Sequence, residues 1–324
     1  MQRRSGQPSP PPPGSELLGR PPVPRASWGR RLKASPALRT AVPARLQLAR
    51  AQAKSERLWE AGGPDSRDAL RAMRAVVART DAEPQLEQIA RRHMLEDAAW
   101  DVLFWRRWPR RPALAEPSRT RLLEACSQGR GVVLSACHYG PQFMTVSMLV
   151  ALGLQPCIVS NEWWFAEPSP DDWGLRLAHW RREVPDIPRL RAHGSYGALR
   201  DILVSGRPVI LYFDMPGRRE TRFLGKPVSL VDGSARLAVE AESLVLPMIT
   251  RREGTVVRLD VEGALDPRAF AGPDELHEEL ALIHERLILD EPAAMHDPAE
   301  YGWGDAAGPL AWARPSTAAS APAG

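Results

Sequence analysis

The chain has 324 residues, 44% of them hydrophobic and 25% charged, with a net charge of +4. That balance excludes chain-wide disorder, a collagen-like repeat and a coiled-coil rod, and three cysteines exclude a disulfide scaffold and fit a reducing compartment. No apolar run reaches the roughly 18 residues of a membrane-spanning helix and the N-terminus lacks a signal-peptide core, so the expectation is a cytoplasmic protein, soluble or peripheral at the inner face of the cell membrane.

Residues 1–36 are rich in Pro and Arg and poor in large apolar side chains, which predicts a disordered tail. Its basic charge suits either an anionic membrane surface or a plain solubilising role. Residues 37–82 read as an N-terminal helical segment, with helices over Ala41–Trp59 and Asp65–Arg79. Residues 83–305 read as one α/β domain, and 306–324 as a second disordered tail. Within the domain, a helix is predicted over Glu83–Trp108 and another from Pro117 to Cys126. Gly131–Cys137 is a short apolar run predicted as a buried strand, with Pro141 opening the helix that follows it. Strands are then predicted at Gln155–Ser160 and Pro208–Asp214, with a helix over Ser195–Ser205 between them. Pro227–Val231 reads as a short strand and Gly233–Ala241 as a helix. Two strands, Ser243–Thr250 and Thr255–Val261, precede a last helix over Asp274–Leu289. This alternation predicts an α/β fold, a mixed and largely parallel sheet flanked by helices, with its site at the carboxyl ends of the strands.

Three groups of residues carry candidate chemistry. His138 follows an apolar strand directly, where a near-neutral imidazole can take a proton from a hydroxyl. Its plainer reading is a capping or core histidine. Asp214 ends the strand V-I-L-Y-F-D and is either a partner for an imidazole or a turn-forming Asp. Arg218, Arg219, Arg222 and Lys226 lie in R-R-E-T-R-F-L-G-K-P, read either as a phosphate-binding loop or as a solvated basic one. Nucleotide-binding glycine motifs and zinc spacings are missing from the sequence, so neither a cofactor nor a metal is expected. A compact aromatic-basic motif is missing as well, and no nucleic acid is expected. Cys137 neighbours His138 but points to the other face of an extended segment, which makes it a core residue rather than half of a dyad.

Five segments in order, R-R-H-M-L-E-D-A-A-W (Arg91–Trp100), G-V-V-L-S-A-C-H-Y-G (Gly131–Gly140), G-A-L-R-D-I-L-V-S-G-R-P-V-I-L-Y-F-D (Gly197–Asp214), F-L-G-K-P-V-S-L-V-D-G-S-A-R-L-A (Phe223–Ala238) and L-V-L-P-M-I-T-R-R (Leu244–Arg252), resemble one family. It is that of the bacterial lipid A biosynthesis (lauroyl/myristoyl) acyltransferases and their phosphatidylinositol mannoside acyltransferase relatives. The resemblance implies a glycerolipid acyltransferase-like fold. It implies transfer of a fatty acyl group from acyl-CoA or acyl carrier protein to a hydroxyl of a lipid or glycolipid. His138 would be the general base, Asp214 its candidate partner, and Gly140 and Gln142 candidate donors to substrate. One departure matters: the family's acidic residue lies five positions after the histidine, and here that position is Phe143. Asp214 and Glu162 are the carboxylates that could replace it through space, and Gln142 could orient the ring without charge. Without a replacement, the resemblance implies a weak or inactive member that binds an acyl chain or lipid.

Overall fold

The computed structural model describes residue 35 and residues 41–106, 113–160, 164–165, 172–184 and 186–296. Residues 1–34 and 36 of the first tail, the whole of the second tail and Glu162 lie outside the described residues.

Three N-terminal helices come first: α1 (Ala44–Glu60), α2 (Pro64–Val77) and α3 (Leu86–Phe104). In α2, Ala69, Met73, Val76 and Val77 fall on one face and are buried, the stripe their spacing predicts. Next come α4 (Ser118–Ser127), β1 (Val132–Ala136), α5 (Thr145–Ala151), β2 (Cys157–Ser160), α6 (Asp172–Glu183) and β3 (Arg189–Arg191). They lead into α7 (Tyr196–Val204), β4 (Pro208–Tyr212), β5 (Pro216–Phe223), β6 (Lys226–Leu230) and α8 (Gly233–Glu240). The last elements are β7 (Leu244–Glu253), β8 (Val256–Val261) and α9 (Pro273–Asp290).

Six strands form one sheet in the order β3-β2-β4-β1-β7-β8. All neighbours are parallel except β7 and β8. The sequence of β1, V-V-L-S-A, is buried throughout, as a central parallel strand covered on both faces must be. Edge strand β8 alternates instead, with Val257, Leu259 and Val261 buried between more exposed neighbours. The predicted architecture, a mixed and largely parallel sheet flanked by helices, is the one observed.

The two sheet faces hold two separate apolar cores. Val133, Val209 and Val245 pack with residues of α2, the first half of α3, α7, α8 and α9. Leu134, Ile210 and Leu246 pack with residues of α3, α4, α5 and α6. Each such large aliphatic residue contributes about 1.5–3 kcal/mol on burial.

Two sequence readings are corrected here. Pro141 does not open an α-helix: Gln142–Met144 is a single 3-10 turn, and α5 begins only at Thr145. The cause is Gly140, whose φ of +56° bends the chain and whose carbonyl is already taken by the Gln142 N–H. The basic stretch after Asp214 is not a loop but strand β5, paired antiparallel with β6 in a separate hairpin. Strand β3, with three residues, is too short to show alternation, and helix α6 is not predicted from the sequence.

Candidate active site

The site follows from strand register. Strands β1 and β4 are adjacent and parallel, with Ala136 level with Tyr212. His138 and Asp214 each come two residues beyond those strand ends, at the carboxyl ends of neighbouring strands about 4.8 Å apart. The Phe213 N–H donates to the Ala136 carbonyl at 2.7 Å, which carries the pairing past the strand ends. The result is a 3.0 Å contact between His138 Nδ1 and Asp214 Oδ1. The other carboxylate oxygen accepts the His138 backbone N–H at 2.7 Å.

Asp214 is fully buried, whereas the His138 side chain is 18% exposed. A carboxylate removed from water needs donors, and these two bonds supply them. Because the carboxylate only accepts, Nδ1 carries the proton and Nε2 the lone pair. The Tyr212 ring stacks on the imidazole, 4.2 Å between centroids and 22° between planes, and fixes its plane.

Phe143 lies in a different environment. It is 2% exposed and makes edge contacts with Trp100 and Phe104 at centroid distances of 5.2 and 5.1 Å. The position five residues after the histidine therefore points into the aromatic core, and the carboxylate beside the imidazole comes from the turn that follows β4.

The turn after His138 is held by the chain that follows α9. Gly140 N–H donates to the Ala294 carbonyl at 2.8 Å, and His296 N–H to the His138 carbonyl at 2.9 Å. Tyr139 Oη donates to the Glu291 carbonyl at 2.8 Å. His296 Nε2 donates to the Gly140 carbonyl at 2.6 Å, and loss of water around that ring pulls its pKa down to about 4. A Cβ at Gly140 would sit 1.9 Å from the Thr250 carbonyl oxygen, so only glycine fits. The N–H groups of Tyr139, Gly140 and Gln142 are thus all engaged within the protein. Gln142 itself is half-buried in the same turn.

The basic group divides. Arg219 pairs with Asp274 and Glu278 of α9. Lys226 is buried, and its Nζ donates to the carbonyls of Arg74 and Ala75 at the end of α2. Arg218 and Arg222 are exposed on β5. Cys137 is buried in the core of the opposite face, and burial pushes its thiol well up.

Sequence reasoning passed over Tyr212, Arg189, Arg191 and His296. Arg189 and Arg191 flank Leu190 in a three-residue strand, too short to show alternation. Contact alone, not pattern, reveals His296.

No protein-family model matches the chain, and no curated protein matches it by sequence. It is similar to the crystal structure of the 1-acyl-sn-glycerophosphate (LPA) acyltransferase PlsC from Thermotoga maritima. That similarity has 16% identity over 76% of this chain and 96% of that one, with a TM-score of 0.35. A superposition that loose leaves the chemistry to be argued from the residues. Among the described residues no helix is long and apolar enough to cross a membrane.

Proposed function

We propose that the chain is an O-acyltransferase that moves a fatty acyl group from an acyl-CoA or acyl carrier protein thioester to a hydroxyl of a lipid or glycolipid. The observation that carries this reading is the His138–Asp214 pair, set by register at the carboxyl ends of two adjacent parallel strands. His138 Nε2 takes the proton of the acceptor hydroxyl as its oxygen attacks the thioester carbonyl. The C–O bond forms, a tetrahedral oxyanion collapses, and the C–S bond breaks. The imidazolium returns the proton to the departing thiolate. Asp214 holds the imidazole in the Nδ1–H tautomer and stabilises the imidazolium between those steps.

With the neighbouring backbone N–H groups engaged, the half-buried Gln142 amide is the donor we assign to the oxyanion. The acceptor's lipid character and a peripheral membrane position through the basic residues 1–36 belong to the same proposal. An inactive lipid-binding relative is disfavoured because a buried carboxylate still stands at the imidazole.

The test is incubation of purified protein with labelled acyl-CoA and acyl carrier protein donors, with and without lipid acceptors. Acceptor-dependent loss of thioester, reduced about 10²–10⁴-fold by His138→Ala, is the expected result. Transfer by the wild type that survives His138→Ala refutes the histidine mechanism.

A further inference from the structure

The two strands that carry the His138–Asp214 pair are joined a second time, on the reverse face of the sheet. Side chains alternate between faces along a strand. At the end of β4, Tyr212 stacks on the His138 ring, and the next residue, Phe213, is fully buried in the opposite core with residues of α9. On β1, Ser135 comes three residues before His138 and lies between Val133 and Cys137, which belong to that same core. His284 of α9 bridges Ser135 and Phe213. Its Nε2 is 2.9 Å from Ser135 Oγ, and its ring stacks on Phe213 at 4.9 Å between centroids and 26° between planes. About two helical turns earlier, His277 meets the same ring at 5.0 Å and 33°. Its Nε2 is 2.7 Å from Thr221 Oγ1 of β5.

Core filling alone does not account for these two rings. Both side chains are buried, and the Nδ1 atom of each has no hydrogen-bond partner. An unpaired buried polar atom costs about 1–3 kcal/mol, which an apolar side chain at the same place would not. Burial lowers the pKa of both, that of His284 to about 4, so near neutral pH each ring is uncharged. What an imidazole adds over a leucine is a flat face for Phe213 and a tether to a strand hydroxyl. The tether of His284 ends on β1, and its flat face ends on the residue next to Asp214. The same side chain therefore ties together the two backbones whose spacing sets the 3.0 Å contact between His138 Nδ1 and Asp214 Oδ1.

We infer that His284, supported by His277, is a positioning residue that acts through Ser135 and Phe213 to hold Asp214 at the His138 imidazole. Fully buried on the far side of the sheet, it does not meet substrate. The inference rests on the His138–Asp214 pair of the proposed function, and its first readout needs no turnover.

That readout is proton NMR of the full chain with nitrogen-labelled histidine. The His138 Nδ1 proton, held on the Asp214 carboxylate, should give a downfield resonance that is missing from His138→Ala and Asp214→Asn. Ser135→Ala combined with His284→Leu removes both polar partners at once and should fold with a denaturation midpoint close to that of the wild type. In that folded variant the downfield resonance should broaden or vanish, and kcat for acyl transfer should fall about 10–100-fold with KM unchanged. Ser135→Ala with His284→Phe restores a flat ring against Phe213 and should recover part of both signals. Should the leucine pair fail to fold, the phenylalanine pair and His277→Leu decide by the same readouts, each with a smaller loss expected. A wild type that shows the resonance but transfers no acyl group would sink the acyltransferase reading and leave the NMR comparison to judge His284. A folded leucine pair with the wild-type resonance and kcat overturns the inference. So does a leucine pair whose loss of transfer appears only as a raised KM.

Discussion

Phe143 occupies the position where the resemblance places a carboxylate, and its contacts with Trp100 and Phe104 decide what a charge there would do. Phe143→Glu would put an unpaired carboxylate in an aromatic core at a cost of at least about 3 kcal/mol. We expect a lower denaturation midpoint and no gain in transfer; faster transfer by a folded variant would show that Asp214 is not the working partner. A second residue-scale prediction concerns His284. It is fully buried with Nε2 at 2.9 Å from Ser135 Oγ, and burial lowers its pKa to about 4. Unfolded, it titrates near 6.5. Between those values the unfolded chain binds the proton and the native one does not, so stability is full above pH about 6.5 and falls as pH drops toward 4. The loss from this residue is about 3 kcal/mol at about 1.36 kcal/mol per pH unit. The paired substitution Ser135→Ala with His284→Leu removes both polar partners and should flatten that part of the pH–stability curve. An unchanged slope would contradict the assignment.

The elements around the site are held by backbone groups as much as by side chains. Lys226 is an example: its ammonium takes two carbonyls at the C-terminal end of α2, where the helix dipole favours a cation. Lys226→Met should lower stability by about 1–3 kcal/mol in chemical denaturation. It should leave acyl transfer by the folded protein unaltered. Loss of transfer by a folded variant would return Lys226 to the substrate. Gly140→Ala should be worse for the fold, since its Cβ would overlap the Thr250 carbonyl. These roles also mark where sequence reading stops. The apolar runs of β1, β4 and β7 are legible because central parallel strands are buried on both faces. His138 and Asp214 stand out as polar residues at the ends of such runs. That they meet depends on register, which pattern does not encode. Lys226 and Arg219 look like phosphate ligands in a linear string because a hairpin and its packing on α9 are not visible there.

Across the whole molecule, the N-terminal helices and the sheet share one core. Met73 and Val76 of α2 and Ile89 of α3 pack in the same cluster as Val133 and Val245. Residues 37–82, read from sequence as a separate segment, should therefore unfold with the sheet, and calorimetry should show no earlier transition for the helices. The central claim is that His138 and Asp214 act as a unit in acyl transfer. A double-mutant cycle tests it most directly: transfer rates of wild type, His138→Ala, Asp214→Asn and the double variant, with acyl-CoA or acyl carrier protein as donor. Each single change should cost about 10²–10⁴-fold, and the double variant should be no slower than the worse single one. Independent, multiplying losses, or an Asp214→Asn variant with wild-type rates, would contradict the pair.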